Sequence, residues 1–357
     1  MNMALNQTNK VVIVGSGSWG STVAKIIGHN VSKYPLFDDK VRLYVHEEMH
    51  EGKKLSDIIN NEHENPKYLP GQKLPSNVVA IPDIKQAVYG ADIIIFVVRQ
   101  QFLSVVCNSM KDVIHPNMIG ISLIKSLYYN HEDNNDDHDS VKCASDVIND
   151  ILGMKVSVLM GPNLASEIAK EKFSETSIGC SDRSLWELWR KLFENDYFKV
   201  RFRENEKSVE LWGALKNVVA SATGISDGLK YGENTKAALL RIGFQEIRQY
   251  IHEFNSNIDD DSLWDPCGFA DLIATCYGGA TRLVVERAIS QKKSLRDSEE
   301  ENFKGFTLEG PVNAKQVYLL LKAKKLEARY PLMTAVYEVF HENKDPEHLI
   351  ATLKEKM

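Results

Sequence analysis

Cysteine is scarce and scattered. Cys107, Cys143, Cys180, Cys267 and Cys276 are odd in number and form no CxxC pair, which speaks against a disulfide framework or a zinc knuckle and fits a reducing compartment. Long hydrophobic runs are missing too. The longest, ADIIIFVV, is far too short to cross a bilayer, and the start, MNMALNQTNK, has no apolar stretch of the kind a signal peptide needs. The expectation is a soluble, cytoplasmic protein with no membrane partner. Nor is there an excess of one charge: 43 basic against 49 acidic residues leave a formal balance of -6, which gives no electrostatic reason to expect nucleic acid. A small anionic ligand needs only a local basic pocket. No internal repeat is found.

What is present is a chain of 357 residues, 43% hydrophobic, long enough for two domains that each bury a core. From Lys10 the first half alternates short β-branched runs (VVIVG, VRLYV, ADIIIFVV, MIGISLI, VSVLMG, ETSIGC, FKVRF) with helix-length segments, the pattern of a parallel sheet covered on both faces. After about Asn205 the texture becomes helical, in segments 209–224, 235–254, 271–291 and 310–325. The fold class expected is therefore α/β, with a doubly wound domain over residues 1–205 and an all-helical domain over 206–357. The polar, acidic stretch 130–142 reads as a solvated loop.

In VVIVGSGSWG, Gly15, Gly17 and Gly20 form GxGxxG directly after a strand and before a helical segment. The first glycine permits a tight turn, the second lets the backbone approach a pyrophosphate, and the third lets the helix pack close to the sheet, with its N-terminal amides facing the anion. The context predicts a dinucleotide site. The second strand ends in His46, Glu47 and Glu48. A carboxylate there accepts from ribose hydroxyls and repels a 2′-phosphate, so NAD is expected over NADP, with His46 flanking the adenine. The same residues spell HEEMH, residues 46–50, the metalloprotease pattern in which two histidines one helical turn apart bind zinc. That chemistry needs a helix, whereas His46 follows a strand, and beyond His63 no third ligand stands out; no metal is expected.

Lys125 ends the strand-like GISLIK, at the carboxyl edge of the sheet where open α/β folds bind ligands; a surface lysine is the plain alternative. Lys216 lies in LWGALKNVVA. On a helix, Trp212, Leu215 and Val219 make one apolar face, with Lys216 and Asn217 at its margin, so either a solvated lysine or an ammonium held beside a cavity fits. Asp271, alone among apolar residues in GFADLIAT, is either a helix N-terminal group or a partner for a cation.

Together, IVGSGSWGS, HENPKYLPG, ISLIK, VLMGPNLASEIA, GALKNVVA, GENTKAA and ADLIATCYGG, in this order, resemble the cytosolic NAD-dependent glycerol-3-phosphate dehydrogenases over nearly the whole chain after Lys10. The resemblance implies a Rossmann-like N-terminal domain, a helical substrate domain, a homodimer, and interconversion of dihydroxyacetone phosphate and NADH with sn-glycerol 3-phosphate and NAD. It places the catalytic lysine on Lys216, the second active-site lysine on Lys125, asparagines on Asn163 and Asn217, an aspartate on Asp271 and a threonine on Thr275. It also implies nucleotide contacts at Gly15, Ser16, Gly17, Ser18, Trp19, Gly20, Phe102 and Ala165. Three departures stand out. VVRQQF, with Arg99 and Gln100, replaces the usual VVPHQF; Glu309 replaces a glutamine near the cofactor; and Ala280 and Thr281 replace the arginine and asparagine that grip phosphate and nicotinamide. Arg282, two residues on, is the guanidinium left to take the phosphate if the turn after Gly278 and Gly279 relaxes or the next helix starts slightly later; otherwise it is a surface arginine, and Lys125 with backbone amides carries the phosphate. Other readings remain open: an NAD-linked dehydrogenase of another hydroxy substrate, a non-catalytic NAD sensor, or a zinc hydrolase.

Overall fold

The computed structural model describes residues 8–130, 140–255, 260–303 and 307–356. The chain opens with β1 (Asn9–Val14), α1 (Ser18–Val31), β2 (Phe37–Tyr44), the short strands β3 (Met49–His50) and β4 (Lys53–Lys54), α2 (Leu55–Glu62), β5 (Val78–Ile81), α3 (Ile84–Val88), β6 (Ile93–Phe96), α4 (Leu103–Met110) and β7 (Ile119–Ser122). Next come β8 (Leu127–Asn130), β9 (Ser140–Cys143), α5 (Ala144–Leu152), β10 (Val156–Met160), α6 (Ala165–Ile168), β11 (Ser174–Gly179), α7 (Trp186–Phe193) and β12 (Phe198–Arg203). The rest is helical: α8 (Glu206–Gly228), α9 (Glu233–Phe254), α10 (Asp271–Gly278), α11 (Ala280–Ser290), α12 (Leu295–Phe303), α13 (Glu309–Ala323), α14 (Pro331–His341) and α15 (His348–Lys356).

Two compact units result. The first runs up to Ile124 and adds Ala144–Leu159 and Asn163–Glu206. Its sheet has the strand order β12-β11-β10-β7-β6-β1-β2-β5. From β1 the chain works outward to β2 and β5 on one side and to β6, β7 and β10 on the other, every one of these pairs parallel. Strands this rich in valine and isoleucine are dry on both faces; Val11–Val14 and Ile93–Phe96 are wholly buried. Val14 pairs with Phe96, so β1 and β6 end level. The order reverses between them, and their carboxyl ends form the crevice in which such sheets bind ligands.

The second unit takes Lys125–Cys143, Met160–Pro162 and everything from Lys207. Its axis is α8, on which every residue from Ser208 to Ser226 is buried. Neighbouring helices approach it closely at glycines. A Cβ on Gly243 of α9 would lie 2.5 Å from the Val219 side chain, and one on Gly224 would lie 2.8 Å from Val285 of α11. The described elements of residues 206–357 are all helices, as expected; the unit also takes in β8 and β9, which pair antiparallel and which a local hydrophobic reading does not reveal, being short and of mixed polarity. Three expectations change here. Of the stretch 130–142, Asn130 and residues 140–142 belong to these strands, and residues 131–139 lie outside the described residues. The helical segment 271–291 is broken at Gly279, which is extended (φ -72, ψ 147). Finally, Lys216 and Asn217, only 3% and 5% exposed, do not sit at a solvated margin, since α8 is enclosed on all sides.

Candidate functional site

In the first unit, the glycine-rich turn has the geometry its sequence demands. Gly15 has φ 120°, and a Cβ there would lie 2.4 Å from the carbonyl oxygen of Val97; a Cβ on Gly20 would lie 2.0 Å from the Gly15 oxygen. Gly17 differs. It is the N-cap of α1 and supplies no capping side chain, and a Cβ on it would meet nothing within 4 Å. First-turn amides without a cap, facing open space, fit a pyrophosphate. The turn is held from behind by Asn65, fully buried, whose Nδ2 donates to the Ser16 carbonyl at 2.8 Å and to Ser21 Oγ at 2.9 Å. Asn65 was not foreseen; its only sequence signal is its place in HENPKYLPG. Ser18 Oγ donates to the Tyr68 carbonyl, and Trp19 meets Phe198 edge-on, so both brace the turn.

The carboxylates after β2 are already engaged. Glu47 accepts from the Ser56 amide at 3.3 Å and its hydroxyl at 2.6 Å, at the start of α2, and Glu48 pairs with Lys67. Their charge stays near the exposed His46, but a ribose has only their remaining lone pairs. Residues 49 and 50 of HEEMH lie in β3, so the two histidines do not share a helix face. Phe102, 43% exposed, ends the turn before α4. Ala165 opens α6, and its carbonyl accepts from Thr22 Oγ1 of α1 at 3.2 Å. Asn163 donates to Thr176 Oγ1 at 3.4 Å, while its own Oδ1 is buried with no hydrogen-bond partner among the described residues. An acceptor in that state suits a ligand's donor.

In the second unit, α8 and α10 bring Lys216, Asp271 and Thr275 together, and the segment after β7 adds Lys125. Asp271, at the first position of α10 and 1% exposed, divides its carboxylate between two ammoniums. Lys216 donates to Oδ1, and Lys125 donates to Oδ2 at 2.9 Å. Lys125 also reaches the Gly161 carbonyl at 2.8 Å, and Lys216 reaches Thr275 Oγ1 at 2.5 Å. Burial lowers the Lys216 pKa from the usual lysine value to about 7; Asp271 opposes the shift and Lys125 adds to it. Two cations on one buried carboxylate make a site that favours developing negative charge. Beside it, Asn217 Nδ2 donates to Glu309 Oε2 at 3.0 Å.

A lysine poised in this way serves any carbonyl reduction, and comparison with known proteins narrows the choice. The chain matches the NAD-dependent glycerol-3-phosphate dehydrogenase N-terminus family over residues 10–186 and the corresponding C-terminus family over residues 205–351. This chain belongs to the NAD-dependent glycerol-3-phosphate dehydrogenases. It is 44% identical over 346 residues to the cytoplasmic glycerol-3-phosphate dehydrogenase (NAD(+)) of Rattus norvegicus, covering 97% of each chain. The structure is similar to that of the Plasmodium falciparum glycerol-3-phosphate dehydrogenase, at 35% identity and TM-score 0.88, over 97% of this chain and 95% of that one. It is also similar to DsGPDH of Dunaliella salina, at 34% identity and TM-score 0.91, over 97% of this chain and 60% of the algal one. The chain is thus an NAD-linked oxidoreductase, its cofactor is NAD, and its substrate is a phosphorylated glycerol or triose. No helix among the described residues is long and apolar enough to cross a membrane.

Within this glycerol-3-phosphate dehydrogenase the residues after Gly279 are placed as follows. α11 begins at Ala280 without a capping side chain. Thr281 is buried, and its methyl lies against Gly310, where an added Cβ would come 2.7 Å from it and 2.5 Å from the Asn217 carbonyl. Arg282 is turned elsewhere: it donates to Asp227 at 2.8 Å and to Glu286 at 2.7 Å, and Asp227 also holds the buried Lys236 at 2.7 Å. α11 thus starts directly after the break at Gly279, and Arg282 spends its guanidinium on those two carboxylates.

Proposed function

We propose that Lys216 is the general acid and base of this dehydrogenase. The observation that carries the reading is the enclosed Lys216–Asp271–Lys125 arrangement, with Thr275 as a further partner of Lys216. NADH, when bound, supplies the hydride that reduces the carbonyl carbon of dihydroxyacetone phosphate. The oxygen then gains negative charge. Lys216 lowers that barrier twice, by its charge and by delivering the proton, and the alkoxide leaves as the hydroxyl of sn-glycerol 3-phosphate. Asp271 keeps the ammonium oriented. Lys125 shares Asp271 and adds positive field, and Thr275 limits the rotamers of Lys216. Enclosure excludes the water that would otherwise compete for the proton.

For the cofactor, the reading gives the pyrophosphate to the amides of residues 15–20, the adenosine end to His46, Glu47 and Phe102, and the nicotinamide end to Ala165 and Glu309. Asn163 in the first unit and Thr281 in the second are read as contacts of the substrate. With Arg282 engaged by two carboxylates, the substrate phosphate falls to Lys125 and the uncapped first-turn amides of α11. The enzyme acts in the cytoplasm as a homodimer.

The test is Lys216→Met, which keeps the apolar stem and leaves Asp271 paired to Lys125. Turnover should fall by on the order of a thousandfold or more, with NADH binding retained. In the native enzyme, dihydroxyacetone phosphate reduction needs the protonated lysine, so kcat should decline as pH rises through about 7 and the reverse reaction should gain. Near-normal turnover in Lys216→Met would remove Lys216 from the chemistry.

A further inference from the structure

Asn313 lies on α13 one turn beyond Glu309 and is wholly buried. Each side of its amide is used. Nδ2 donates to the Lys125 carbonyl at 3.0 Å and to the Ala214 carbonyl at 3.1 Å, and Oδ1 accepts the Leu127 amide at 3.1 Å. Lys125 and Leu127 frame the entry to β8, and Ala214 lies two residues before Lys216 on α8. One side chain therefore ties the backbone of one active-site lysine to the helix that carries the other. Three residues further along the same face, Gln316 Oε1 accepts the Tyr129 amide at 2.8 Å. α13 thus satisfies two alternate amides of β8, and of these two side chains Asn313 is the one that also bonds to the α8 backbone, at the Ala214 carbonyl.

We propose that Asn313 is a positioning residue for the reaction: by cross-linking Lys125 to α8 it holds Lys125 at the distance from Lys216 at which the two ammoniums share the Asp271 carboxylate. Without that tie, the Lys125 backbone is free to retreat with β8, and Asp271 turns wholly to Lys216. Lys216 then loses a neighbouring like charge and gains the full carboxylate. Both changes hold its proton more tightly. Other polar groups around this part of α8 are Thr275 and Cys276 from α10, with Lys236 of α9 near Cys276, and Glu309 of α13 on Asn217. The inference rests on Lys216 being the acid.

The experiment compares Asn313→Leu with Gln316→Leu, measuring dihydroxyacetone phosphate reduction by NADH across pH. Gln316→Leu removes a bond to β8 of the same kind and should leave the alkaline limb of the profile where it is. Asn313→Leu should lower kcat by roughly ten- to a hundredfold, as displaced catalytic groups do, and move the alkaline limb upward by about one pH unit, the size expected for losing a like charge at close range. NADH affinity, read by fluorescence titration, should not move. Lys125→Met should reproduce the upward shift, and adding Asn313→Leu to Lys125→Met should shift the limb no further. If Asn313→Leu does not fold, Asn313→Ser takes its place in the same cycle. An unmoved alkaline limb, or equal effects of the Asn313 and Gln316 variants, overturns the proposal. Loss of any pH dependence on Lys216 itself would instead remove the mechanism on which it rests.

Discussion

At the scale of single residues, charge placement decides what Arg282 can do. Its guanidinium, the donor type best fitted to a phosphate, already forms ion pairs with Asp227 and Glu286. Asp227 is in turn shared with Lys236, whose ammonium stands 4.5 Å over the Tyr277 ring. Drawing Arg282 toward a substrate would strip a partly buried carboxylate of one of its two cations, a loss the substrate's phosphate would have to exceed. Arg282→Ala should therefore leave the Michaelis constant for dihydroxyacetone phosphate within about threefold of the native value, because no charged hydrogen bond of about 1.5 to 3 kcal/mol to the substrate is lost. It should, however, lower the thermal midpoint, since Asp227 keeps only Lys236. A tenfold or greater rise in the Michaelis constant, with the unphosphorylated ketone unaffected, would return the phosphate to Arg282.

Between elements, polar groups do what apolar packing cannot, and Glu246 of α9 is the case with a measurable pH signature. Its carboxyl accepts the amides of Leu332 at 2.8 Å and Met333 at 3.0 Å at the start of α14, where Pro331 leaves no amide of its own to cap. Burial raises its pKa to about 7, against the downward pull of those two amides. The folded state therefore binds a proton more tightly than the unfolded chain does. The native protein loses stability relative to a neutral variant as pH rises from about 4.5 to about 7, and the loss persists above. At about 1.4 kcal/mol per unit, it amounts to on the order of 3 kcal/mol. In urea titrations, Glu246→Gln should gain on the native protein by that order between pH 5 and pH 8, whatever its offset at pH 5. A constant difference across pH would mean that Glu246 is ionised in both states.

What was legible at this scale follows from how local each cause is. Val11–Val14 and Ile93–Phe96 announce buried parallel strands because every residue is apolar, and Gly15–Gly20 announces its turn because Gly15 takes a positive φ and Gly20 packs against the Gly15 carbonyl five residues back. β5 was missed: VVAI is four residues long and follows a turn. The break at Gly279 is masked by the helical residues on either side. Around the site, Lys125, Lys216, Asp271 and Thr275 could be named by resemblance, but that one carboxylate serves both lysines depends on partners 146 and 55 residues apart in sequence. Asn313 left no mark, and Asn65 none beyond its place in HENPKYLPG, since a lone asparagine reads the same whether it faces water or ties backbone segments together. The inward pairing of Glu47 and Glu48 was equally hidden.

For the whole molecule, the chain does not divide at a single point. The second unit takes β8 and β9 and residues 160–162 from the midst of the first, and these pieces are built into its core. Cys143 and Leu127 are fully buried there, the β8 amides end on Asn313 and Gln316, and Met160 fills the space left by Gly213, where an added Cβ would lie 2.5 Å from its sulfur. A fragment starting at residue 207 would contain every helix from α9 onward and nearly all of α8. It would lack Lys125, and it would expose the apolar surface and the amide side chains that β8, β9 and Met160 cover. Each buried polar group left without a partner costs about 1 to 3 kcal/mol, and a vacated large apolar side chain costs about 2 to 5 kcal/mol. Against a typical net stability of about 5 to 15 kcal/mol, the sum of such losses is enough to abolish cooperative folding. Residues 207–357 alone should therefore keep helical far-ultraviolet dichroism but lose near-ultraviolet signal and a cooperative urea transition. Supplying residues 125–162 in the same chain through a flexible linker should restore a cooperative transition. A sharp two-state transition in the unsupplemented fragment would show that the helices form a self-sufficient core and that the hairpin merely decorates it.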